Sequence, residues 1–497
     1  MPGSHDNEHR SVSAAQRAMR ENWTLAVVLV VAYVLRLVPV IIHPSLDWGD
    51  EVFQTTEQAH RLIYGSGLVP WEFQVGMRSW LLPGALAVVM AAARAVGPGP
   101  AIYLPAIAGT LGLLALAPVV CAFLWCRRAL GGGPALLAAL VVAAAPELVY
   151  FGDRALAEVV AAHLLVLAVY ALLPGIEVRS VRRLAVGGAL LGLTLLLRLQ
   201  LLPAVALIAL FAARRVRIGP VAAGFVVVLC CGGALDALTL GSPFASIWRY
   251  AEYNIFKHAS EQFGVQPWYY YGAAELAIWG AAILVPIALC LCGLRVGYVP
   301  AAVAALIIVT HSCLEHKEHR FIYPALLLLA VQAGFGLAWL ASRAADRRLL
   351  GLPGDAVAAA AALSWCLIAL MVWNGPAMRI LRNRVHDELL AAAYSARAPS
   401  VCGIGMYRPG LDAWAPYGGY THLHQNVPLF WPADATSFAA YAPSFNLLLT
   451  PATPPIAGFS RQACFGAVCV FRRSGECVPQ APMKMPFPSG IAAIPGR

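Results

Sequence analysis

Long apolar runs separated by short polar connectors dominate this chain, and the length of each run sets what it can form. A helix crossing a bilayer needs ~20 mostly apolar residues, fewer where it is tucked against others. Twelve runs qualify as candidates: 24–42, 80–97, 101–124, 135–152, 155–173, 184–197, 200–213, 218–235, 273–294, 298–314, 321–341 and 350–373. The short connectors holding Arg127 and Arg128, "EVRSVRR" (177–183), "RRVR" (214–217), Arg295 and "RAADRR" (343–348) are basic, which marks them as cytoplasmic. Counting back from them puts 43–79, Asp153 and Arg154, Arg198, 236–272, "HKEHR" (316–320) and everything after about 374 on the other side. The parity fails only between 81 and 124. One segment there must be re-entrant or interfacial, and 80–97, broken by Arg94 and ending in "GPGP", is the better fit. The pattern predicts about eleven crossings.

Two of the runs, 184–197 and 200–213, are too short to span upright, and they meet at Arg198 and Gln200. An arginine at mid-helix in lipid costs ~2.5–3.5 kcal/mol unless it faces a polar cavity. The pair is therefore read as short helices that carry Arg198 into a recess. Beyond Asn374 the apolar runs shorten, and strings such as "FNLLLT" and "CFGAVCVF" read as strands. The predicted organisation is a cytoplasmic tail (1–22), a transmembrane domain (23–373) with external loops 43–79 and 236–272, a small α/β extramembrane domain (374–475), and a disordered Pro-rich end (476–497).

Composition agrees with this reading. Of 497 residues, 60% are hydrophobic and 12% charged, against roughly a quarter charged in soluble domains. The net charge of +10 is accounted for by the basic connectors, and nucleic acid is not the expected partner. Cys402, Cys464, Cys469 and Cys477 lie in the polar tail, where disulfides are available if it faces an oxidising compartment. No connector on the cytoplasmic side is long enough to fold as a nucleotide-binding domain.

Five polar clusters, hundreds of residues apart, fall on the outer side: 43–79, Asp153 with Arg154 and Glu158, Arg198 with Gln200, 236–271, and 311–323. One converging site explains them economically. "DEVFQTTEQAHRLIYG" (50–65) is predicted as an amphipathic helix on the membrane, with Asp50 and Glu51 in its first turn. There they are either dipole caps or a general base. His316 and His319 have a spacing that raises a metal, but Lys317 and Arg320 beside them favour an anion. Arg154 and Glu158 are spaced for an i,i+4 ion pair, and "FGVQPWYYY" (263–271) is either an aromatic belt or a stacking surface.

These residues resemble a family. "DE" (50–51), "EQAHRLIYGSG" (57–67), "WEF" (71–73), "RS" (78–79) and Pro83 look like the first loop of lipid-dependent mannosyltransferases of the dolichol and GPI-anchor pathways. "HKEHRFIYP" is similar to their "HKEERF-x-x-P", with His319 in place of the second glutamate. Asp236, Gly241, Tyr253 and Asn254 follow the pattern of the second loop. "YFGDRALAE" resembles the "R-T-x-S-x" helix start, with Ala155 and Ala157 replacing the hydroxyls. The segment 401–429 is most like that of GPI mannosyltransferase III, with Gly403 where that enzyme has a histidine. The Ala-, Arg- and Gly-rich composition looks bacterial.

The resemblance implies a GT-C-type glycosyltransferase fold and an inverting transfer of mannose from polyprenyl-phosphate-mannose to an acceptor glycan or glycolipid, forming an α-mannoside. For that transfer the outer polar cluster offers Asp50, then Glu51, as the base, and Lys317, Arg320 and His316, ahead of Arg198 and Arg154, to receive the lipid phosphate. Glu57, His60, Trp71, Glu72, Arg78, Tyr253, Asn254, Trp268, Tyr269 and Glu318 orient acceptor and sugar. No cofactor or metal is expected. The expected setting is a bacterial inner membrane with the site facing outward, and a monomer is compatible with the pattern. A different polyprenyl-phosphate sugar, or a non-enzymatic transporter or binding protein, is the alternative. A transporter would carry mid-membrane polar residues and internal repeats.

Overall fold

The computed structural model describes residues 4–173, 180–347, 351–409, 413–451, 453–454 and 457–487. Positions 177–179 and 348 of the basic connectors and 488–497 of the Pro-rich end therefore lie outside the described residues. The chain divides into two compact units, one of Met1–Val38, Leu111–Gly232 and Phe263–Arg379, the other of Pro39–Thr110, Gly233–Gln262 and Ile380–Arg497.

The first unit is helical. Among the described residues of the whole chain, six helices are long and apolar enough to cross a membrane: Met19–Ile42, Pro100–Leu130, Ile218–Leu240, Tyr270–Gly293, His319–Asp346 and Gly354–Trp373. Leu81–Arg94, Gly132–Ala144, Ala157–Leu172, Leu199–Ala213 and Val299–Ser312 are shorter apolar helices. The chain is a multi-pass membrane protein. Leu81–Arg94 is about 21 Å long at 1.5 Å per residue, short of a ~30 Å hydrocarbon core.

Of the six long spans, the one containing Tyr323–Asp346 is the most buried, and small residues let its neighbours approach. A Cβ on Gly336 would lie 1.8 Å from the Leu289 carbonyl oxygen, so two backbones meet there. Gly188 and Gly224 repeat the device reciprocally, against Val221 and Ala185. The first span is anchored by Arg36, only 2% exposed, which donates to the Val142 and Ala143 carbonyls at the end of Gly132–Ala144. A cation suits that position because unpaired carbonyls carry the negative end of the helix dipole.

The second unit holds a five-stranded sheet. Its strands are β1 (Ile404–Met406), β2 (Leu429–Phe430), β3 (Leu447–Thr450), β4 (Phe459–Phe465) and β5 (Val468–Arg473), in the order β2-β1-β3-β5-β4. β1 pairs in parallel with β2 and β3, and β5 runs antiparallel to β3 and β4. Alternate residues of a strand face opposite sides. Accordingly Leu447 and Leu449 join Ile404, Met406, Val470 and Leu389 in one core, whereas Leu448 joins Phe430, Phe438 and Phe445 in another. Leu46, Val52, Phe53 and Leu68 of the first loop are part of the former core. The strands expected in "FNLLLT" and "CFGAVCVF" are present as β3 and the β4–β5 hairpin. Disulfides join Cys402 to Cys477 and Cys464 to Cys469.

Candidate active site

The polar residues named from the sequence gather into two clusters, one within each unit. In the helical unit the cluster forms where Val299–Ser312 ends and the chain turns through 313–318 into Tyr323–Asp346. Glu158 occupies the first turn of Ala157–Leu172, where the dipole favours a carboxylate, and is 2% exposed. Arg320 Nη1 donates to Glu158 Oε1 at 2.8 Å, and its Nε donates to Glu318 Oε2 at 2.7 Å. Arg198 Nη1 is 3.7 Å from Glu158 Oε2. Arg154 precedes the start of this helix, so the i,i+4 geometry expected from its spacing to Glu158 does not arise. It donates instead to the Tyr150 carbonyl and lies over the Tyr150 ring.

His316 has a ring nitrogen on the Gly264 carbonyl and the other on Glu318 Oε1, an arrangement that uses both as donors. Burial works against its charged form, but these hydrogen bonds outweigh it and raise its pKa. Burial would lift Glu318, yet the neighbouring Arg320 charge and hydrogen bonds from His316 and Arg320 hold it down at about 2. Lys317, 5% exposed, directs Nζ at the Gln266 and Leu314 carbonyls.

Arg198 is different. It follows Val181–Leu197 in an extended conformation, is 6% exposed, and stacks over Phe321 at 4.6 Å. Among the described residues its Nε and Nη2 have no hydrogen-bond partner, and neither do the buried Tyr271 Oη and His311 Nε2, two groups within electrostatic reach of it. In the ion pairs formed here among the described residues, three basic groups, Arg198, Arg320 and His316, meet two carboxylates, Glu158 and Glu318. A buried guanidinium with spare donors has the chemistry to hold an anion. The sequence ranks Lys317, Arg320 and His316 ahead of Arg198, but the hydrogen bonding favours Arg198. Trp268 and Tyr269 are exposed and meet edge to face, so their outer surfaces are open.

In the second unit Asp50 and Glu51 do sit in a first helical turn, closed by bonds from Glu51 and Val52 back to Trp48 and Gly49. Glu51 is buried and accepts from the Asp47 backbone N–H, a capping task, while Asp50 keeps more exposure. The amphipathic surface helix differs from expectation. Residues Val52–Thr56 form a π-helical segment, Glu57–Tyr64 continues as α-helix, and Glu57, Gln58 and His60 are buried although polar.

Glu57 explains why. Its Oε1 accepts from the backbone N–H of Leu68 and Tyr420, and its Oε2 from the N–H and hydroxyl of Thr421. A Cβ on Gly419, at φ +58°, would come within 2.7 Å of this carboxylate, so "YGGYT" (417–421) wraps a buried acid. Burial raises the Glu57 pKa against the pull of those hydrogen bonds. With both oxygens taken, Glu57 fastens the first loop to the 417–421 segment. His60 does similar work through Ser66 and His424, and burial drives its pKa down to about 4.

Trp71 and Tyr253 also differ from expectation. They are buried and pack edge to face in an apolar cluster with Val75, Met77 and Ala259. Asn254 lies in a second π-helical segment, Glu252–Phe256. Glu72 accepts from Gln54, and burial, then the Asp50 charge, push it up to about 7 despite Arg78 and the Gln54 bond. Arg78 is half-buried, 5.8 Å from the Tyr250 ring, with its Nε unpartnered.

The sequence reading missed Thr421 and His424, whose partners are more than 360 residues away. It also missed Glu147 and Glu275, which with His319 place three possible metal-ligand atoms within 4.8 Å of one another. Their signal was present: a lone acid inside an apolar run is costly unless it has a task.

Comparison with known proteins places this geometry. GPI mannosyltransferase 3 of Yarrowia lipolytica is 25% identical over 81% of this chain and 76% of its own length. GPI alpha-1,2-mannosyltransferase 3 of Danio rerio is 27% identical over 23% of this chain and 22% of its own length. The fold is similar to apo ArnT from Cupriavidus metallidurans (TM-score 0.62, 14% identity, 94% of this chain and 100% of that one). The same ArnT bound to undecaprenyl phosphate gives a TM-score of 0.58 at 13% identity, covering 92% of this chain and 99% of that one. These matches share the GT-C architecture. Residues 23–400, well over half of the sequence, match the Alg9-like mannosyltransferase family. A multi-pass helical glycosyltransferase with a small sheet domain at its end, the chain belongs to that family.

Proposed function

We propose that this glycosyltransferase moves mannose from polyprenyl-phosphate-mannose to a hydroxyl of a glycan or glycolipid, with inversion to an α-mannoside. Asp50 takes the hydroxyl proton as the acceptor oxygen bonds to C1. The C1–O bond to phosphate breaks with its electron pair going to the phosphate oxygen. Arg198, supported by Arg320, Lys317 and His316, receives that oxygen, because preorganised charged donors in a poorly hydrated site stabilise developing negative charge. Trp268 and Tyr269 offer open ring faces to sugar or isoprenoid. The proposed step uses no metal and no cofactor.

One observation carries this reading: the buried, partly unpartnered Arg198 in a recess with more cations than carboxylates. Undecaprenyl phosphate on a protein of like fold supports a lipid donor. The basic connectors and the two tail disulfides support an outward-facing site, in a bacterium the periplasmic face of the inner membrane. To test the donor, the detergent-solubilised chain is given polyprenyl-phosphate-mannose or a nucleotide-linked mannose with a mannoside acceptor. Transfer from the lipid donor is expected; transfer from the nucleotide sugar alone would reject the assignment.

A further inference from the structure

Three elements of the helical unit converge on a place that the proposed transfer does not use. Glu147 lies in the first turn of Pro146–Phe151, Glu275 on Tyr270–Trp279, and His319 opens the short turn before Tyr323–Asp346. His319 Nε2 is 2.9 Å from Glu275 Oε1 and 3.1 Å from Glu147 Oε1. Trp279 Nε1 donates to the other Glu147 oxygen, Oε2, at 2.9 Å.

A single imidazole N–H serves one acceptor well. Here Glu275 receives it, and Glu147 Oε1, in a residue 5% exposed, has no hydrogen-bond partner among the described residues although it lies 3.1 Å from the same nitrogen. Charge makes the arrangement costlier. Among the described residues the cationic partner of both carboxylates is His319, so even a protonated ring leaves a negative excess. A divalent cation bound by two carboxylates and a neutral imidazole would bring the cluster to zero. The two distances to His319 Nε2, 2.9 and 3.1 Å, lie close to the about 3.0–3.4 Å that separates ligands held at about 2.1 Å from a metal and 90–109° apart, and the three atoms lie within 4.8 Å of one another. The indole N–H on Oε2 is the outer-shell contact that orients a ligating carboxylate.

We propose that Glu147 Oε1, Glu275 Oε1 and His319 Nε2 bind one first-row divalent cation, zinc or manganese, with water completing its shell. Mixed carboxylate and imidazole donors suit these ions. The cation clamps three helical elements together and takes no part in sugar transfer, so the site stands or falls independently of the donor assignment.

The test uses the full chain in detergent, freed of any affinity tag and dialysed, with bound metals counted by plasma mass spectrometry. About one equivalent of zinc or manganese is expected in the wild type, and less than about a tenth of that in His319→Ala or Glu275→Gln. Chelator-stripped wild type should unfold at a higher temperature once ZnCl2 or MnCl2 is added. A wild type holding under about a tenth of an equivalent and giving no thermal response to either salt would overturn the proposal. So would equal metal content in wild type and variants. An infrared carboxylic-acid band lost in Glu275→Gln would also overturn it, by assigning a shared proton to the place of the cation. Both wild-type measurements remain decisive if the variants fail to fold.

Discussion

Replacing Glu57 by alanine should loosen the wrap of residues 417–421 without touching the sheet beyond it. The carboxylate is fully buried and accepts four hydrogen bonds, from Leu68, Tyr420 and, twice, Thr421. A buried donor stripped of its acceptor costs about 1 kcal/mol at the low end of the usual range, so four amount to about 4 kcal/mol. Burial of the carboxylate opposes its ionisation, and relief of that desolvation returns part of the loss. The net is about 3 kcal/mol, or about a hundredfold in a local opening equilibrium. Hydrogen exchange of the chain in nanodiscs reads this directly. Amides of 417–424 should exchange about a hundredfold faster in Glu57→Ala, while those of β3 keep the wild-type rate. Glu57→Gln should fall between, about tenfold, because its amide NH2 faces donors on one side. Exchange at 417–424 within threefold of wild type in Glu57→Ala would show that the carboxylate does not hold this segment.

Further outcomes follow from the same geometry. Asp50→Asn should lower kcat by about 10³ with little change in KM, as for loss of a general base, and equal rates at saturating acceptor would exclude that role. Arg198→Ala should cost about 10²–10³ in rate and Arg198→Lys nearly as much, since a point charge lacks the fork; full activity of the lysine variant would remove Arg198 from phosphate stabilisation. Glu158→Gln leaves two guanidinium groups without their shared counter-charge and should destabilise the helical unit by about 3 kcal/mol, seen as a lower thermal midpoint. Glu72, pushed up to about 7, holds its proton more tightly folded than unfolded, so its contribution to stability is full below pH about 4.5 and is lost as pH rises toward 7. The loss is up to about 3 kcal/mol; Glu72→Gln should flatten this slope between pH 4.5 and 7, and an unchanged slope would assign it to other groups.

What the sequence could reveal depended on how local each signal was. The first span and the strands of "FNLLLT" and "CFGAVCVF" were legible because hydropathy and alternation act within a few residues of one another. Arg198 was legible as a cost: an arginine between two short apolar helices needs a polar partner, and Glu158 is one. The burial of Glu57 was not legible because its partners are set by a tail segment with no local trace at position 57. Arg154 and Glu158 show that helical spacing misleads when the helix starts between the two residues, at Ala157. The sheet's split into two cores was not legible either, because it depends on which strands pair.

The Glu57 clamp also bears on how the protein is made. A ribosome delivers Glu57 early and Thr421 long after, by which time every span between them has been threaded. Until then a carboxylate destined for a dry interior has no donors from the tail and stays with water. The loop carrying Asp50 thus reaches its final form only when the last extramembrane segment has emerged, and a chain cut short before 417 would leave the membrane with its spans inserted and its first loop unfinished.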